Sequence, residues 1–220
     1  MAHRILLAVL ALYWSVSASA LDFLAECPAA IDLVVTFEVV GPTYYTRHLQ
    51  RPIWPGGASG ATIGIGYDLG HQVPPVIRRD WVAHPQVDDL PAAAGAVGQA
   101  GKEATARIRH VQTPLRLAEQ VFTASTVPRY WAMTRRAFPG IDALPPCTQG
   151  AMFSLVYNRG SGMAGRTRIE MRTIRDQCIP FEDRQCIADE IVKMTRLWKG
   201  TTIEKGMTRR RQAEANLALR

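Results

Sequence analysis

Three residues in the first third of this 220-residue chain have the types and setting for acid–base chemistry: Glu38, Thr62 and Asp68. Glu38 stands in LVVTFEVVG, with apolar residues on both sides. A carboxyl in such surroundings loses hydration, which disfavours its charged form and raises its pKa. That is what a general acid needs to hold a proton near neutrality. Downstream, Thr62 and Asp68 flank the turn Gly64-Ile65-Gly66 in TIGIGYD. On an extended strand, side chains alternate faces, so Thr62, Gly64, Gly66 and Asp68 share one side. The glycines leave backbone bare on that side, where a polymer can lie close. A protonated carboxyl on a helix end and an ionised carboxylate on a β element are the minimal equipment for glycoside hydrolysis. A phosphate loop is the competing reading of the glycines. It fails because position 69 is leucine and no strand-to-helix continuation follows.

These residues need elements to hold them. Leu21–Val35 has apolar residues at a helical spacing, and Pro28 divides it into two short pieces. Ile53–Gly70 holds six glycines among 18 residues with short alternating apolar positions, a poor helix and a good tight β-hairpin. Beyond Pro74-Pro75 the patterns are helical: Val76–Ala83, a glycine-diluted Ala92–Arg109, Arg116–Ala124, Val127–Ala137, Thr148–Asn158, Ile187–Trp198 and Thr208–Leu219. No repeat or linker interrupts them. The expected class is α+β: one mostly helical domain over 21–220 with a small β-hairpin near its start.

The N-terminus reads as an address. His3 and Arg4 precede the apolar run Ile5–Val16, and Ser17-Ala18-Ser19-Ala20 offers small residues for cleavage after Ala20. The run is short for a membrane span of about 20 residues, so no stable insertion is expected after cleavage. The implied location is the periplasm or the exterior. Four cysteines, Cys27, Cys147, Cys178 and Cys186, then read as two disulfides. Three pairings are open. CIPFEDRQC can close locally between Cys178 and Cys186, which leaves Cys27 to pair with Cys147. No CxxC or HxxxH spacing supports a metal site, and nothing in the sequence calls for a cofactor. The formal charge is +7, carried mostly by arginine, and becomes +6 when Arg4 is removed. A basic exported protein without an interleaved basic–aromatic patch points away from nucleic acid and toward an extracytoplasmic polyanion.

Glu38, WPGGASGATIGIGYDLG, SLVYNRGSGM (154–163), IEMRTIRD (169–176) and RRRQAEANL (209–217) occur in that order, and together they resemble the phage-type muramidases of the lysozyme superfamily, nearest the pesticin-like branch. The resemblance runs from about Phe37 to Leu217. It implies a lysozyme-like fold with a cleft between a small β-containing lobe and a helical lobe. It also implies a Glu38–Thr62–Asp68 active site acting, as a monomer, on peptidoglycan. Many phage muramidases carry their second carboxylate a few residues after the Glu. Here no Asp or Glu lies between Glu38 and Asp68, so that role falls to Asp68 or is vacant. The expected activity is cleavage of the β-1,4 bond between N-acetylmuramic acid and N-acetylglucosamine. The alternative is a catalytically silent peptidoglycan-binding or assembly protein on the same scaffold. Tyr67 and Trp54 can stack on sugar rings or fill the hairpin core. Asn158 and Arg159 can line the opposite wall or cap their helix. Arg209–Arg211 can pair with acidic side chains or attract an anionic wall, with a solvated basic helix face as the default, and Glu170 reads as an ion-pair partner among Arg166, Arg168 and Arg172.

Overall fold

A computed structural model describes residues 22–220, so the export signal read at Met1–Ala20 lies outside the described residues. The chain is mostly helical with one two-stranded antiparallel sheet, which fits the α+β class. The described residues divide into two compact units: Val35–Val127, and 22–34 together with Pro128–Arg220.

The Val35–Val127 unit receives the end of helix α1 (Ala29–Val39). Pro28 separates α1 from a helical turn over 22–26, as its missing N–H demands. The helix stops at Val40, whose φ of +64° is a left-handed conformation normally left to glycine. Strands β1 (Thr62–Ile63) and β2 (Tyr67–Asp68) form the hairpin, with Thr62 opposite Asp68 and Ile63 opposite Tyr67. Gly64 and Gly66 turn the chain, with φ of +60° and +66°. Helices α2 (Pro74–Asp80), α3 (Gly98–Arg107) and α4 (Leu115–Val121) complete the unit. Its core gathers Ile63, Tyr67 and Leu69 of the hairpin with Ile77, Trp81 and Ile108. After α4 the backbone stays helical through a π-turn at Phe122–Thr126, where the sequence pattern suggested a break.

The other unit is built on α5 (Val127–Ala137), α6 (Pro146–Arg159), α7 (Ile169–Thr173), α8 (Arg184–Lys193) and α9 (Glu204–Ala218). Every residue from Ala151 to Val156 is buried, so α6 is the central helix, with α9 packed on it and on α8. Gly150 lets α1 approach closely: a Cβ there would lie 2.4 Å from the Ala30 Cβ. Phe23 stacks on Trp131 with ring centroids 4.4 Å apart. Two disulfides, Cys27–Cys147 and Cys178–Cys186, brace this unit, the pairing in which the local loop closes. Among the described residues no helix is long and apolar enough to cross a membrane.

Candidate functional site

Glu38, Thr62 and Asp68 all belong to the Val35–Val127 unit. Glu38 lies in the last turn of α1 and is half-buried; the helix runs four residues past the Val35 bound read from the apolar spacing. Two residues on, Val40 holds its left-handed backbone with 68% of its surface exposed, so no burial compensates the strain. For a β-branched residue such a φ is an outlier, costing about 1–3 kcal/mol, and such outliers concentrate at functional sites.

Thr62 and Asp68 share a face because they are cross-strand partners in the hairpin. They share a side, as expected, but by pairing across the turn at Gly64–Gly66 and not by alternation along one strand. Both backbone groups of Thr62 bond to Ile53, at 2.8 and 3.0 Å, on the edge away from β2. Thr62–Asp68 is therefore a non-hydrogen-bonded pair, the kind in which opposing side chains come closest. The Thr62 hydroxyl has one weak bond, 3.5 Å to the Gly60 carbonyl, and remains able to engage a ligand or water.

Asp68 is held more firmly. Gly70 N–H donates to its Oδ1 at 2.8 Å, and Gly60 N–H donates to Oδ2 at 2.9 Å and to Oδ1 at 3.1 Å. Two backbone amides thus orient the carboxylate, and His71 Nε2 lies 3.7 Å from Oδ2. The side chain is still 20% exposed. The amides are placed by backbone-to-backbone packing. A Cβ on Gly70 would lie 2.2 Å from the Ala96 carbonyl oxygen, one on Gly60 would lie 2.5 Å from the Gly70 Cα, and one on Gly101 would lie 2.6 Å from the Ser59 carbonyl oxygen. Sequence reasoning missed Gly60, Gly70, Gly101 and Ala96 as parts of the site. The signal was the density of glycine in GGASGATIGIGYDLG, which was assigned to approach by a polymer. That assignment fails for Gly64: it is buried, and a Cβ there would meet the Trp81 ring at 2.9 Å.

No protein-family model matches this chain, and no curated protein is significantly similar to it.

Of the two roles open to Tyr67, the structure gives it core packing. It is 3% exposed, its ring meets Trp81 edge-on at 5.3 Å, and its hydroxyl donates to Asp80 Oδ2 at 2.9 Å. A ring so enclosed offers no face to a sugar. Trp54 is half-buried, donates its indole N–H to the Ser59 carbonyl at 3.0 Å and carries Lys102 Nζ 5.7 Å from its ring centroid. Its indole bond ties it to the same loop as Gly60.

Asn158 and Arg159 belong to the other unit, at the end of α6. Asn158 Oδ1 accepts a 2.6 Å bond from Arg211, and Arg159 donates to the Thr167 carbonyl at 2.5 Å. The solvated basic face expected at 209–211 exists only at Arg209. Arg210 and Arg211 are buried, because Glu214 one turn along α9 accepts Arg210 Nε at 3.2 Å and lies 3.0 Å from Arg211 Nη1. Glu170 makes the ion pair expected of it, but with a different arginine. Its partner is Arg196, which reaches it across 26 residues of sequence, and none of the neighbouring arginines pairs with it. Among the described residues no cluster of His, Cys, Asp or Glu is arranged to hold a metal ion.

Proposed function

We propose that the chain is a muramidase, cleaving the β-1,4 bond between N-acetylmuramic acid and N-acetylglucosamine in peptidoglycan. The supporting observation is the Thr62–Asp68 pair: a weakly bonded hydroxyl directly opposite a carboxylate fixed by two backbone amides, in the same compact unit as Glu38. In this reading Glu38 protonates the leaving oxygen. Asp68, restrained by Gly60 and Gly70, and Thr62 hold a water against the other face of the sugar. A pre-oriented carboxylate loses no conformational freedom in the transition state, which is where positioning lowers a barrier. A lysozyme-like arrangement and an extracytoplasmic location belong to the same proposal, and two disulfides are in keeping with that location.

The test is mass spectrometry of purified sacculi digested by the wild-type protein and by Glu38→Gln. Hydrolysis yields reducing muropeptides, whereas a lytic transglycosylase yields anhydro products. Glu38→Gln that digests sacculi at the wild-type rate ends the assignment. A second reading, a non-hydrolytic wall binder, draws on one observation. Three contacts on Asp68 come from its own loop, so the carboxylate also serves as a structural brace. That reading expects intact sacculi to be retained and no muropeptide released.

A further inference from the structure

A pocket of about 470 Å³ opens in the unit built on α6, away in sequence from every residue given a catalytic role. Asn158, Arg159, Thr167 and Arg168 are its polar lining, and Trp198 and Ile203 are among its apolar residues. The arginines are the unusual feature. Glu170 is occupied by Arg196, and Glu214 by Arg210 and Arg211. Arg159 and Arg168 bond instead to neutral acceptors: Arg159 to the Thr167 carbonyl, Arg168 to the Arg159 carbonyl and the Met171 sulfur. Their donors are partly used and their charges are not neutralised by a carboxylate.

Two further facts sharpen this imbalance. The Nε atoms of Arg159 and Arg211 are buried without a hydrogen-bond partner, and the Arg211 side chain is 0% exposed. Both guanidinium groups also lie over the Trp198 ring, at 5.2 and 5.7 Å from its centroid. Burial, then the neighbouring cations Arg168 and Arg211, push the Arg159 guanidinium down to about 10 despite the opposing influence of Glu170 and Glu214. Arg211 has Glu214 beside it, but among the described residues Arg159 and Arg168 have no carboxylate bonded to them, and a partly buried cation so placed is costly unless an anion joins it. A rigid arginine fork is suited to a planar oxyanion, and Ile203, 54% exposed, extends apolar surface beside it.

We infer that this pocket is a binding site for a carboxylate on a short apolar body, such as the C-terminus of a peptide with small apolar side chains, with Arg159 and Arg168 engaging the carboxylate and Trp198 the body. The site stands apart from the reading of Glu38, since it requires no hydrolysis.

The experiment titrates the full chain with N-acetyl-alanyl-alanine and with its C-terminal amide, following affinity by calorimetry and the Trp198 indole N–H by NMR. The free acid is expected to bind and to shift the Trp198 signal, with the amide weaker by roughly tenfold or more, the loss of one charge-assisted contact. Arg168→Met should weaken the acid to the level of the amide while leaving the amide's own affinity unchanged. Equal affinity of acid and amide, a Trp198 signal that does not move, or acetate binding as tightly as the dipeptide overturns the proposal. The acid–amide comparison uses the wild-type protein alone, so it decides the matter even where an arginine variant fails to fold.

Discussion

Asp68→Asn tests the role of the second carboxylate, and it has a structural effect that follows from the contacts of that side chain. The carboxylate takes Gly70 N–H on Oδ1 at 2.8 Å and shares Gly60 N–H between Oδ2 at 2.9 Å and Oδ1 at 3.1 Å. Asparagine has one acceptor oxygen. With that oxygen at the Oδ1 position, an NH2 group faces the Gly60 N–H, donor to donor; flipped, it faces Gly70. One of two buried amides is left poorly satisfied, and the other loses the charge that strengthened its bond. Hydrogen bonds to charged groups contribute about 1.5–3 kcal/mol and neutral ones about 0.5–1.5 kcal/mol, so the net loss is about 2–3 kcal/mol. For a chain of this size that lowers the melting temperature by about 4–12 °C. Thr62→Ala removes a single 3.5 Å contact and should leave the melting temperature within about 1 °C. Calorimetry without reductant, paired with release of muropeptides from sacculi, separates the two roles. Both variants should lose activity, and only Asp68→Asn should lose stability. An Asp68→Asn protein that melts with the wild type refutes the brace. A Thr62→Ala protein of full activity and full stability refutes the catalytic pairing.

Three further outcomes follow from particular residues. Val40→Gly removes a left-handed β-branched residue that is 68% exposed, and the relief of about 1–2 kcal/mol less the entropy that glycine adds to the unfolded chain should raise stability by about 0.5–1 kcal/mol in urea titration. Glu214→Gln withdraws the carboxylate shared by two buried arginines and Ser154, and should cost about 3–5 kcal/mol, visible as a large fall in melting temperature. His84 is buried with Nδ1 accepting the Gln86 N–H at 3.0 Å and Nε2 3.2 Å from the Thr113 hydroxyl, so its neutral form is built in. Burial lowers its pKa below the ordinary 6.5, with Asp89 opposing. The unfolded chain then binds the extra proton first, so this contribution is complete above about pH 6.5 and is lost as pH falls below it toward the folded pKa. The urea midpoint should drop between pH 7.5 and 5.5, and a His84→Gln protein whose midpoint drops just as far would contradict that assignment.

Most of the helices were legible because their cause is local, although α7 and the helical segment over 42–49 were not among those read from the sequence. Apolar spacing and proline position located α1 after Pro28, and the apolar residues of 148–158 located α6. The hairpin was legible from glycine density and alternation. What stayed hidden was set by partners distant in sequence. Nothing around Glu170 distinguishes Arg196 from three nearer arginines; only the packing of α7 in its own unit selects it. The basic run at 209–211 looks solvated until Glu214 is placed beside Arg210 and Arg211 in a dry interior.

Glycine illustrates the limit most clearly. A glycine can serve a turn, a ligand's approach or a neighbour's backbone, and the letter is identical in each case. Gly64 and Gly66 serve the turn, as their positive φ values require. Gly60, Gly70 and Gly101 serve contact: their backbones meet one another and the Ala96 carbonyl, with no room for a methyl group. That contact aims two N–H groups at Asp68. The rigidity of the carboxylate is therefore a property of the glycines around it more than of the aspartate. It follows that Gly60→Ala or Gly70→Ala, which leaves every candidate catalytic side chain in place, should disturb Asp68 as much as altering Asp68 itself.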